Sequence, residues 1–237
     1  MIFVGIQPKL FYADRTDDAL KNCRQLGHRP LFMPEVIDER IRAPNNSFLW
    51  TNWLSATSIR ATGTTTSGTP VVLYVHTGNS FIEPATITAR MNKLTINGAG
   101  AISIEEFRRL LKLGENGETD KAGNRLVHIV DYNTLKPSTN ELMPLSGALE
   151  HLETIPFIGS EERAKRYFAR FKEVYCKDEI RIERYDDLNG DQPLGRFLFV
   201  GFDYHGIGLG CFGCVGLNRA GRFVGIPTEN RTNQLEL

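Results

Sequence analysis

Residues 47–69 hold 11 serines and threonines among 23 positions. Hydroxyls at that density make a poor core, because they compete for backbone hydrogen bonds and favour caps and turns. Both tryptophans, Trp50 and Trp53, stand at the start of the stretch. The apolar run Val71-Val72-Leu73-Tyr74-Val75 closes it and delivers His76. A polar loop held between an aromatic anchor and a strand is a common way to build a ligand site. The expectation is therefore a loop here, and the site on it.

The rest of the chain predicts more strands than helices. Apolar or alternating runs at residues 2–6, 71–75, 86–97, 126–132, 179–186 and 196–202 read as strands. Helical patterns are three. In residues 16–26, Ala19, Leu20, Cys23 and Leu26 share a face, Asp17 and Asp18 lie in the first turn, and Gly27 follows. In residues 104–113 a capping box, Ser103 to Glu106, precedes Phe107, Leu110 and Leu111. In residues 160–175 Ser160 is the cap and Ala164, Tyr167, Phe168, Phe171 and Val174 form the stripe. Residues 31–44, with Pro34 and Pro44 and with Pro30 just before, read as an irregular connection. Regular strand–helix–strand alternation is missing. The prediction is one α+β domain over residues 1–237, with a mixed or largely antiparallel sheet and about three peripheral helices. A subdivision, if any, falls in the polar segment 114–124, which reads better as an exposed loop.

Composition excludes some functions. With 28 bases and 28 acids the net charge is zero, so no global field draws nucleic acid. No apolar run reaches the roughly 18 residues of a membrane helix, and the N-terminus does not read as a signal peptide. Four cysteines, Cys23, Cys176, Cys211 and Cys214, are too few and scattered for a disulfide scaffold, so a reduced, cytoplasmic protein is expected.

Several residues are candidates for chemistry. Arg60, among Ser58, Thr62 and Thr64, has the fork to bind an oxyanion bidentately, which points to a small anionic ligand. Trp50 or Trp53 would pack against a ring. His76, at a strand end beside a polar turn, is a candidate acid or base, as is His205 at the start of the glycine-rich C-terminal stretch. Gly208, Gly210 and Gly213 match a dinucleotide fingerprint, but the glycines after them break the helix it needs, so edge strands, bulges or a flap are expected instead. Cys211 and Cys214 read as small semi-buried thiols. No metal spacing, nucleophile elbow or Walker lysine occurs, and the sequence leaves the cofactor unknown. Glu179, Glu183, Asp186 and Asp187 read as the exposed face of a strand.

The order Phe11-Tyr12-Ala13-Asp14-Arg15, then Ser55-Ala56-Thr57-Ser58, then Val72-Leu73-Tyr74 resembles the toxin-type ADP-ribosyltransferases, with Gln234-Leu235-Glu236 as the late acidic element. The resemblance implies ADP-ribosyl transfer, a specific form of the expected binding of a small anionic or nucleotide-like molecule. The alternative expectation is a non-catalytic, oligomeric structural or interaction protein of phage or mobile-element origin.

Overall fold

The computed structural model describes residues 7–91, 98–135, 141–185, 187, 188, 190, 192–202, 210–217 and 219–228. The chain opens with β1 (Lys9–Ala13), α1 (Thr16–Gln25), β2 (His28–Pro30), α2 (Met33–Arg42) and α3 (Phe48–Thr51). A long hairpin, β3 (Leu54–Thr64) and β4 (Pro70–Val75), precedes α4 (Pro84–Met91), β5 (Gly100–Ala101), α5 (Ile104–Glu115) and β6 (Val127–Asp131). After a 3-10 turn at Tyr132–Thr134 come β7 (Glu141–Pro144), α6 (Leu145–Glu150), α7 (Thr154–Ile158) and α8 (Glu161–Tyr175). The end is all strand: β8 (Glu179–Glu183), β9 (Leu194–Phe202), β10 (Gly210–Val215) and β11 (Gly221–Pro227).

All described strands belong to one mixed sheet with the path β1-β11-β3-β9-β10-β8-β7. Two pairings are parallel, β10 with β8 and β11 with β3, and the rest are antiparallel. The α+β expectation thus holds. Helices cover both faces. Val72, Tyr74, Leu198 and Val224 pack with α2, α3 and α6 to α8 in one core, while Val71, Leu73, Phe197 and Phe223 pack with α1, α4 and α5 in the other. That alternation is the two-residue period of a strand buried on both sides.

The three predicted helices are present as α1, α5 and α8 with their expected faces inward, except that Leu26 lies past the end of α1 and is exposed. Ser103 and Ser160 cap α5 and α8, accepting from Glu106 N and Arg163 N at 3.2 Å. Two expectations are corrected. Residues 33–42 form a helix because Pro34 sits in its first turn, where a missing N–H costs nothing. Residues 84–91 also form a helix, opened by Pro84, where a strand was expected. The predicted strand at residues 2–6 lies outside the described residues.

The largest correction concerns the hydroxyl-rich stretch. Its middle is not a loop but β3, eleven residues at the centre of the sheet with its first ten buried, and only residues 65–69 turn the chain into β4. Threonine is β-branched and suits a strand, and buried hydroxyls are tolerated where each finds a partner. Four described glycines near the C-terminus, Gly201, Gly213, Gly221 and Gly225, serve close packing. A Cβ at Gly213 would lie 2.3 Å from the Glu183 carbonyl oxygen, and one at Gly201 would lie 2.3 Å from Trp53 Cα.

Candidate functional site

The register of β3 against β9 shifts between Ser55 and Ile59, a bulge that turns its polar groups to neighbouring elements. Thr57 donates from N and Oγ1 to Leu31 O at 3.0 and 3.1 Å. Ser58 Oγ accepts from Met33 N at 2.8 Å and lies 2.8 Å from His76 Nδ1. The other ring nitrogen, Nε2, is 2.8 Å from Pro156 O. A carbonyl only accepts, so Nε2 carries the proton and Nδ1 accepts from the Ser58 hydroxyl. Burial pushes the His76 pKa down to about 3; the Pro156 carbonyl opposes this, and His128 and Arg163 reinforce it. His128, whose ring centroid is 5.9 Å away, is pushed down to about 4 by burial and by Arg125. Sequence reasoning paired neither residue, yet His76 and Ser58 are brought together. At neutral pH this histidine is uncharged, and both nitrogens tie α7 to the β3 bulge.

Arg60 is buried on the same face. Its Nε donates to Glu153 Oε1 at 3.1 Å, and its Nη1 to Thr62 Oγ1 at 3.3 Å and Tyr185 O at 3.2 Å. The Tyr74 hydroxyl donates to the same Glu153 oxygen. Burial and then the Glu153 charge hold the Tyr74 hydroxyl well above its ordinary range. Arg184 joins at 3.4 Å from Glu153 and donates to Glu141 at 2.7 Å. Beside this network Asp187 accepts a bidentate pair from Arg196 at 2.6 and 2.8 Å, and Arg196 stacks on the Tyr185 ring. Buried charges are tolerated when paired and bonded in this way. Arg60 and Thr62 do meet, but the arginine's fork is spent inside the protein. Thr64 stands half-exposed at the outer end of β3, away from them. Glu153, Arg184 and Arg196 were missed, because no local motif announces them, and Glu183 and Asp187, expected on the exposed face of a strand, are buried instead, Asp187 by its pairing with Arg196.

The two tryptophans part company. Trp50 is wholly buried, stacked on Tyr167 with ring centroids 5.7 Å apart, so it lines no open site. Trp53 is half-buried and lies 4.9 Å from the guanidinium of Arg222. Arg222 pairs with Tyr12 across β11 and β1, and its guanidinium is 5.0 Å from that ring as well. Its Nη1 donates to Asn52 Oδ1 at 3.1 Å. Asn52 is in turn fixed by its Nδ2, which donates to Phe48 O at 3.0 Å. Tyr12 is 50% exposed, so this aromatic–arginine cluster reaches the surface. His205 lies outside the described residues. Among the described residues no group of three or more His, Cys, Asp or Glu side chains is gathered as a metal ion requires. No described helix is long and apolar enough to cross a membrane.

Neither a protein-family model nor a curated protein matches the chain. A solved structure that shows how the C-type lectin fold accommodates massive sequence variation in Nanoarchaeota is similar to it. The identity is 44%, the TM-score 0.79, and the match covers 95% of this chain and 100% of that one. Architecture and similarity together define a mixed-sheet α+β protein of the lectin type. The chain belongs to the C-type lectin fold family.

That finding overturns the functional expectation. The strands that resemble an ADP-ribosyltransferase are β1, β3 and β4 of a lectin-fold sheet, with Ser55 to Ser58 spent on a bulge. The acidic element at residues 234–236 lies outside the described residues. Group transfer to or from a nucleotide-like anion is therefore withdrawn, and the phage-type oligomeric alternative did not name a lectin fold either.

Proposed function

We propose that this chain is a binding protein of lectin type, in which a doubly covered sheet holds a recognition surface whose residues can change without loss of the fold. The observation that carries the reading is the 44% identity, over 95% of the chain, to a structure in which this fold accommodates massive sequence variation. The interior supports it. Glu153 is paired with Arg60 and Arg184, and Asp187 with Arg196, all of them buried, so these charges are answered inside the scaffold and not by exposed side chains. Large side chains meanwhile stand out at the surface, with Tyr12 at 50% and Leu142 at 44% exposure. A reducing cytoplasm remains the setting we favour, supported by the buried Cys23 and Cys214, whose thiols burial pushes up to about 11.

The test has two stages. Randomising Tyr12, Leu142 and Leu188 together should leave most variants folded, each substitution shifting stability by within about 0.5 kcal/mol. The folded chain is then applied to arrays of glycans and of peptides, with its oligomeric state read by light scattering. Widespread unfolding of the variants, or a folded chain that binds neither array, ends the reading.

A further inference from the structure

Arginines in this molecule are mostly answered by carboxylates. Arg29 meets Glu35 at 2.7 Å, Arg163 meets Asp38 at 2.9 Å and Arg196 meets Asp187 at 2.6 Å, and Arg60, Arg109, Arg170 and Arg184 are paired likewise. Arg222, like the buried Arg40, is held by neutral groups instead. Among the described residues no carboxylate lies within ion-pair distance of it, and its recorded hydrogen bond goes to the neutral Asn52 Oδ1. It is nonetheless held in place. Strand order puts it between Tyr12 on β1 and Trp53 ahead of β3, with its guanidinium about equally close to both rings. The Trp53 backbone cannot retreat, because Gly201 packs against its Cα. Asp14, just past β1, accepts from the Tyr12 hydroxyl at 2.7 Å.

We propose that Arg222, clamped between Tyr12 and Trp53, is the docking point for a carboxylate side chain on a loop of a protein partner. The proposal rests on the reading of this chain as a binding protein and gives that reading a partner chemistry. A guanidinium flanked by two rings has lost the freedom that binding would otherwise have to remove, and its remaining N–H donors match a carboxylate's geometry. Tryptophan, tyrosine and arginine are also the residues that most often dominate protein–protein binding energy. The gap between the rings, where a sugar or base could be sandwiched, is filled by Arg222 itself.

The probe is a display library of short random peptides, panned on the full chain. Enriched peptides should carry an Asp or Glu beside an apolar residue. Their affinity should fall at least about tenfold on Arg222→Lys, which keeps the charge but loses the fork. Tyr12→Ala, which removes one wall, should weaken the same peptides. In a double-mutant cycle, Arg222→Met and the peptide's Asp→Asn should not add, since each removes the same pair. Thermal unfolding of every variant checks that it is folded. Enrichment of peptides without an acid, equal affinity for Arg222→Lys, or additivity in the cycle overturns the proposal while leaving a binding protein in place. No enrichment on the folded chain overturns it as well, and a glycan that binds independently of Arg222 would then keep the broader reading.

Discussion

Two arginine–tryptophan pairs sit back to back at Asn52 and lead opposite lives. Arg40 lies 5.2 Å from the Trp50 ring and Arg222 lies 4.9 Å from the Trp53 ring, and both arginines donate to Asn52, one to its carbonyl and the other to its side chain. Arg40 and Trp50 are wholly buried, and Arg40 also donates to Val200 O and Tyr167 Oη. Arg222 and Trp53 are half-buried, with N–H groups left to offer. The same chemistry thus serves cohesion on one side of Asn52 and display on the other. What separates them is helix cover: α2, α3 and α8 close over the first pair and stop short of the second.

The largest effect expected from this contrast is on stability. Trp50→Ala should cost about 3–5 kcal/mol, the range for emptying a large aromatic site in a core, and Trp53→Ala clearly less than half of that. Urea unfolding of the two variants decides it, and equal losses would break the comparison. Acid should likewise act on the buried side. His76 and His128 have folded values of about 3 and about 4, below the usual unfolded value of about 6.5. Above that value pH does nothing through either ring. As pH falls below it, the unfolded chain takes up protons that the folded one refuses, so stability is lost at about 1.4 kcal/mol per pH unit for each ring. Between about pH 6.5 and 4.5 His76 alone should remove about 2 kcal/mol, and His76→Gln should take that share out of the slope while the share of His128 remains. A wild-type stability that is level across the interval would contradict the buried neutral histidine.

How much of this was legible beforehand follows from the same physics. Helices α1, α5 and α8 announced themselves through caps and apolar stripes, which are local signals. The α+β class followed from dispersed helices among many strands. The central strand was misread, because the pattern of hydroxyls does not say that Leu31 O, Met33 N and His76 wait to bond Thr57 and Ser58. Arg60 was singled out for its fork, as the residue to hold an anionic ligand. Nothing near it in sequence, however, pointed to Glu153, 93 residues on. Trp50 and Trp53 could not be told apart, since their fates depend on which helices end where.

Gly201 offers a sharper, smaller cut between the two pairs. An alanine there would place its Cβ 2.3 Å from Trp53 Cα, and backbone cannot rotate out of the way as a side chain can. Gly201→Ala should therefore cost about 1–3 kcal/mol and displace Trp53 while leaving Trp50 in its stack with Tyr167. Tryptophan emission separates the two. In a Trp50→Phe background the alanine should alter the remaining signal, and in a Trp53→Phe background it should not. A response from the buried tryptophan instead would mean that the strain passes through β9 into the core.

The smallest effect is expected where display is the purpose. Arg222→Met removes a half-exposed guanidinium that stacks on two rings but neutralises no described acid, so stability should change by within about 1 kcal/mol. The same change should open the gap between Tyr12 and Trp53 and make Trp53 easier to reach. In a Trp50→Phe background, iodide quenching should rise on Arg222→Met, with the unfolding midpoint nearly unmoved. A large loss of stability would place Arg222 with Arg40 among the cohesive residues. An unchanged quenching would show that the arginine does not hold the rings apart, and the exposed pair would then lose the preorganisation that distinguishes it from an ordinary surface arginine.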